Sequence, residues 1–285
     1  RNTPSIRYLA SAPPFGFDAD GTPRGGLFWD GRASGLKDQA GQPFLNAAEM
    51  ANASVTEVVQ RLALAAYADE FRRVYGSDIF SRPDDAFARM TLALQQYQRE
   101  DSAFHPFSSP YDDFLRGRTM LGAAALRGLA VYNDPARGNC AACHPSEGKS
   151  PLFTDFTNDN LGVPKNASNP FYTQPAAINP DGVNFIDKGL GTTLGDSAFD
   201  GRFKVPSLRN VAVTAPYMHN GVFTSLRQVV QFYNSACAAG NPDGWAAAEV
   251  AENRNCKELG DLGLADNEID ALVAFLETLT DGYVH

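Results

Sequence analysis

Residues 140–144 read Cys-Ala-Ala-Cys-His, and no other run in the chain restricts the fold as tightly. Two thiols three positions apart can add to the two vinyl groups of one porphyrin, and the adjacent histidine then lies under the iron as a proximal nitrogen ligand. Cys140, Cys143 and His144 are therefore read as a covalent haem c site. Two other chemistries use close cysteine pairs. A thioredoxin-like redox pair wants a βαβ context, whereas the sequence before Cys140 is helical. A zinc ribbon wants a second close pair, and Cys237 and Cys256 lie too far apart. That distant pair brackets a loop rich in Gly, Asn and Asp, so a disulfide and two buried free thiols are both open. Haem c is attached outside the cytoplasm, which implies a periplasmic protein.

The rest of the sequence agrees with a helical shell around such a group. Ser54 is a natural N-cap for a helix through Phe71, with Val55, Val58, Val59, Leu62 and Ala66 on one face. A second helix is predicted over Asp84–Glu100, with Phe87, Met90, Leu94 and Tyr97 as a buried stripe. Pro106 and Pro110 break the chain, placing a domain boundary around Ser108–Asp113. A third helix over Thr119–Tyr132 leads into Cys140. Residues 145–216 are mostly irregular, and so long a stretch is uncommon unless it wraps something. Helical patterning returns at Ser225–Tyr233 and Asn267–Leu279, the last able to pack across the third helix. The expected class is mainly α: two cytochrome c-like haem domains with long ordered loops, residues 1–110 forming an incomplete N-terminal one and 111–285 the C-terminal one.

Composition narrows the partners. The 285 residues carry a net charge of −9, which argues against nucleic acid and suits either a small basic protein partner or plain solubility. No apolar run reaches the ~20 residues a membrane span requires. The chain begins with Arg1 and has no signal peptide, so it reads as processed or cut.

Several short segments, in order, carry a resemblance: Arg1-Asn2-Thr3-Pro4-Ser5, Phe28-Trp29-Asp30-Gly31-Arg32-Ala33, Gln39 to Pro43, Glu49-Met50, Cys140–His144, Val205-Pro206-Ser207-Leu208-Arg209-Asn210 and Ala215-Pro216-Tyr217-Met218-His219-Asn220-Gly221. Together they resemble the bacterial di-haem cytochrome c peroxidase family and its MauG-like branch. The resemblance implies two haems, yet this sequence has one Cys-x-x-Cys-His motif. Either a stretch upstream of Arg1 carries the first, or a relative has lost it and serves as a mono-haem electron-transfer cytochrome. The retained peroxide-site residues favour the former.

The resemblance assigns roles. Glu49 matches the distal carboxylate that moves a proton between the oxygens of bound hydrogen peroxide, where burial can tune the acid. Gln39 and Pro43 match residues that shape the peroxide pocket, and Trp29 matches the tryptophan lying between the haems. The sixth ligand of the second haem is implied fourteen residues beyond His219, which is Tyr233. A phenolate there stabilises higher oxidation states of the iron, as in the MauG-like branch, whereas the peroxidase branch carries methionine. The competing reading makes Tyr233 a core aromatic and gives the iron to Met218 or Met120. His219 is expected to be a structural hydrogen-bonding residue. The family's interdomain calcium would be held by Asn2, Thr214 and Pro216, through one side chain and backbone carbonyls. The implied activity is a peroxide-using periplasmic oxidoreductase, acting on a protein side chain through high-valent haem iron or on a small cytochrome or cupredoxin.

Overall fold

The computed structural model describes residues 1–282. The first 35 residues are largely irregular, held by a two-residue hairpin of β1 (Gly16–Phe17) and β2 (Pro23–Arg24), with Gly16 opposite Arg24. Helices α1 (Leu36–Leu45), α2 (Val55–Ala63), α3 (Ala68–Tyr75) and α4 (Pro83–Glu100) follow. Next come α5 (Pro110–Leu115) and α6 (Ala123–Asn133), then the long wrap containing β3 (Asn158–Asp159), α7 (Leu190–Leu194) and β4 (Phe203–Lys204). Helices α8 (Leu226–Ser235) and α9 (Asp266–Glu277) complete the described chain. The protein is thus mainly helical, with few strands.

The helix expected over residues 54–71 is two helices. Ser54 caps the first, its Oγ accepting from the Glu57 N–H at 3.2 Å. The chain then turns at Leu64, which is 88% exposed, and restarts at Ala68. A helix turns about 100° per residue, so an unbroken one would put Phe71 on the face opposite Leu62. The break returns Phe71 to the cluster of Val59, Leu62, Ile79 and Ala86. The stripe expected on α4 holds in part, Phe87 and Met90 being half-buried against the same cluster. Its buried positions are Ala86, Thr91 and Gln98, while Tyr97 is 57% exposed. Helix α4 packs mainly against α1 and α2, with the short turns Leu9–Ser11, Ile79–Ser81 and Ser102–Phe104 also touching it, and Tyr97 finds just the edge of Phe104. The helix before Cys140 starts at Ala123, with Gly122 as its N-cap, rather than at Thr119.

The largest apolar cluster is built from α5, α6, α8 and α9, with Tyr132, Phe153, Phe232, Phe275 and Leu279 at its centre. Helices α6 and α9 cross with backbones almost touching at Gly128, where a Cβ would stand 1.9 Å from the Ala271 carbonyl oxygen. Only glycine permits that approach. The expected boundary near residue 110 is occupied by α5, opened by a Ser109–Asp112 capping box, and Tyr111 is part of the large cluster. Residues 1–35 are bound to the wrap: Arg1 bridges Asp30 and Asp187, the Gly25 N–H donates to Phe156 O, and the Tyr8 hydroxyl meets Asp281.

Candidate haem site

Helix α6 ends at Asn133 and a short loop brings Asn139 into the left-handed conformation, from which one 3-10 turn carries Cys140 to Ala142. The His144 N–H donates to the Cys140 carbonyl at 2.9 Å, closing the motif on itself. Two partners then fix the histidine. The Tyr132 hydroxyl donates to its carbonyl at 2.6 Å, and its ring Nδ1 lies 2.7 Å from Phe153 O. An Nδ1–H donated to that carbonyl leaves Nε2 with the lone pair a metal needs. Burial pushes the ring below the ordinary histidine range, against the pull of the Phe153 carbonyl, so the neutral, ligating form is favoured.

Cys140, Cys143 and His144 open onto a cavity of about 290 Å³ whose other walls include parts of α8, α9 and residues 203–209 and 216–219. The lining is mostly apolar, with Val229, Val230, Leu272 and Leu276 in it. Burial pushes both thiols up to about 12. The motif follows helix α6 rather than a strand, so the βαβ context of a thioredoxin-like pair is not met. The zinc-ribbon reading falls too, because Cys237 and Cys256 are joined in a disulfide. Thiols and a tautomer-fixed histidine at one wall of a roomy apolar cavity fit a haem.

Tyr233, on α8, lines the same cavity. Burial pushes its phenol well above the ordinary range, and the two thiols push in the same direction, which puts Tyr233 within electrostatic reach of the motif. Met218 also lines the cavity, whereas Met120 is 77% exposed and absent from the lining. His219 is buried and its ring lies flat on Phe203 at 3.6 Å, but its Nε2 has no hydrogen-bond partner. The expected structural hydrogen bond is not made by that atom.

Trp29 donates its indole N–H to the Asn2 carbonyl at 2.8 Å and borders both this cavity and a much smaller one shared with Gln39. Gln39 and Pro43 stand four apart on α1. The Met50 N–H donates to Pro43 O at 3.1 Å, folding the Glu49 turn back beside the end of that helix. Glu49 is exposed, with Asn46 Nδ2 at 3.3 Å, so the described residues do not supply the burial expected to tune it. Asn2 meets Pro216 across 214 positions, and Thr214 lines the same cavity while its hydroxyl donates to Val211 O. The Asn2 amide donates to Pro216 O at 2.6 Å, and its backbone N–H donates to His219 O at 2.7 Å.

Sequence reasoning missed the frame behind His144. Thr154 Oγ1 donates to Val205 O, Ser207 Oγ to Leu152 O, and Arg209 Nε to Pro151 O, all within 2.9 Å. These bonds hold segment 151–154, which presents the Phe153 carbonyl to His144. The run Val205–Asn210 was the available signal, although nothing local in it says what it grips. Lys204 was missed as well.

A thiol pair with its histidine, set in a mainly helical shell around an apolar cavity, defines the class as a haem c protein. Residues 1–120 match the family described as di-haem cytochrome c peroxidase. Methylamine utilization protein MauG of Paracoccus denitrificans is 42% identical, the alignment covering 99% of this chain and 74% of that protein. Cytochrome-c peroxidase IdrP1 of Pseudomonas sp. (strain SCT) is 33% identical over 89% of this chain and 64% of its own length. The crystal structure of the di-haem peroxidase BthA from Burkholderia thailandensis superposes with a TM-score of 0.86 at 32% identity, covering 99% of this chain and 72% of that one. The chain belongs to the di-haem cytochrome c peroxidase and MauG family of oxidoreductases, and it spans 64% to 74% of the length of these relatives.

Proposed function

We propose that this chain is the greater part of a periplasmic di-haem c oxidoreductase that uses hydrogen peroxide and, in the MauG-like manner, oxidises a side chain of a partner protein. The observation that carries the reading is Tyr233, buried on the cavity that Cys140, Cys143 and His144 share. Haem c bound there would supply iron redox chemistry, with His144 and Tyr233 as its axial ligands and a phenolate favouring the oxidised states. Trp29 borders both cavities, which supports a role in passing an electron between this site and a second haem. Gln39, Pro43 and Glu49 would form one wall of the peroxide site, Gln39 orienting the peroxide and Glu49 shuttling its proton. Asn2, Thr214 and Pro216 would hold calcium through oxygen atoms. We assign residues 1–110 to the peroxidatic haem domain and 111–285 to a cytochrome c-like domain. The Cys237–Cys256 disulfide supports an oxidising compartment.

The test is Tyr233→Met in the mature protein, with peroxide added and the visible and near-infrared spectra followed. The wild type should hold a long-lived oxidised state that the variant loses while still binding peroxide. A variant that accumulates the same state removes Tyr233 from the assignment. Haem stoichiometry by pyridine haemochrome, with intact mass, separates the di-haem enzyme from a mono-haem electron carrier.

A further inference from the structure

Lys204 is a buried cation to which the described residues offer no anion. It lies in β4, is 8% exposed, and its backbone N–H donates to the Trp29 carbonyl at 2.8 Å. Its ammonium makes no ion pair or hydrogen bond among the described residues and sits 6.0 Å from the centre of the Phe156 ring. Lysine is almost never buried without a partner, because an unpaired ammonium loses its hydration for nothing in return. Burial alone pushes this one down to about 8.

The neighbouring residue of the strand leads to a second orphan. Phe203 carries the His219 ring, whose Nε2 is buried and unpartnered. Asp187, the carboxylate that acts on His219, is gripped by Arg1 through two bonds of 2.6 and 2.8 Å. It is not free to pair with either orphan. Lys204 and His219 both line the cavity that holds Cys140, Cys143 and His144. Lys204 lies on β4 and His219 is stacked on its strand neighbour Phe203, so both unused donors belong to the same wall of that cavity.

We infer that Lys204 and His219 form an anion site in this cavity, and that its ligands are the two propionate carboxylates of the haem. This rests on the haem reading given above. A ligand edge bearing two carboxylates meets one cation and one neutral donor, and the charge left open at Lys204 is closed. Lys204 is bonded through its backbone to Trp29 and borders the same cavities, so the site joins the haem edge to the residue proposed to carry the electron. A positive charge near the porphyrin favours the ferrous form, which has one positive charge fewer at iron. Removing it must shift the equilibrium towards ferric.

The experiment uses the mature holoprotein and three variants, Lys204→Met, Lys204→Arg and His219→Phe. Each is measured by pyridine haemochrome, by potentiometric titration of the haem held by His144, and by resonance Raman of the propionate bending modes. The expected result for Lys204→Met is a tenfold or larger shift towards ferric, a fall of about 59 mV for one electron, with the propionate band displaced. Lys204→Arg should stay near wild type, and His219→Phe should move the band with a smaller change in potential. If Lys204→Met does not accumulate, His219→Phe carries the test through the propionate band. Haem c present, with band and potential unchanged in Lys204→Met and His219→Phe, overturns the inference. Wild-type protein without haem c overturns the haem reading instead.

Discussion

Replacing Asp112 by asparagine should destabilise this protein far more than a typical ion-pair change. Asp112 and Arg209 are both fully buried and form a fork of 2.6 and 2.9 Å. The carboxylate also accepts from Ser109 Oγ at 2.6 Å and Ser109 N at 2.9 Å, and the guanidinium lies 4.8 Å from the Phe107 ring centre. Asparagine keeps the shape and removes the charge, leaving Arg209 buried without its anion. Breaking a buried pair in this way costs about 3–5 kcal/mol, or roughly two to four decades in the unfolding equilibrium. An exposed pair would cost about 0–1 kcal/mol. The assay is urea unfolding of the holoprotein followed by circular dichroism. A loss under about 1 kcal/mol would refute the reasoning. The double variant Asp112→Leu, Arg209→Met should lose less than either single change, since neither charge is then stranded. The pH dependence has a definite sign. Burial pushes the Asp112 carboxyl up, but the hydrogen bonds from Arg209 and Ser109 outweigh it and hold it below the usual carboxylate range. Its contribution is therefore fully present above the unfolded pKa of about 3.9. It is lost as pH falls through the lower native pKa, so the gap between wild type and Asp112→Asn should be constant near neutrality and close in acid.

Gly128→Ala should lower the urea midpoint, the overpacking of about 1–3 kcal/mol at the α6–α9 crossing exceeding the helix-propensity gain of about 1 kcal/mol. A raised midpoint would mean the two helices part freely. Removing the Cys237–Cys256 disulfide, which spans a sequence separation of 19, should cost about 3 kcal/mol in thermal unfolding, and an unchanged Tm would show that the loop is already restrained in the unfolded chain. Chelation should lower Tm if Asn2, Thr214 and Pro216 hold calcium. Protein that contains no calcium by elemental analysis and keeps its Tm in chelator ends that assignment.

Covalent chemistry was legible because it is local. Five consecutive residues specify haem attachment, and the structure adds only the tautomer of His144 and the cavity that receives the group. Capping was legible for the same reason at Ser54, which is an N-cap in the structure as the sequence says, whereas the Ser225 cap was not singled out beforehand. The break at Leu64 was not, because a helical period read along the chain contains no information about which side of a distant cluster Phe71 must reach. The burial of Tyr97 failed likewise, since it has the right spacing on α4 and meets only the edge of Phe104.

The site residues divide along the same line. The sequence alone determined which chemistry the chain can hold, since Cys140, Cys143 and His144 act through spacing within one turn. The tertiary structure decided which groups meet. It set Tyr233 on the cavity of Cys140, Cys143 and His144, joined Asp112 to Arg209 across 97 positions, and left Lys204 buried without a carboxylate among the described residues. These depend on pairings between segments far apart in the chain, and burial or an unmet charge is a property of the finished packing, with no counterpart in a residue's immediate neighbours.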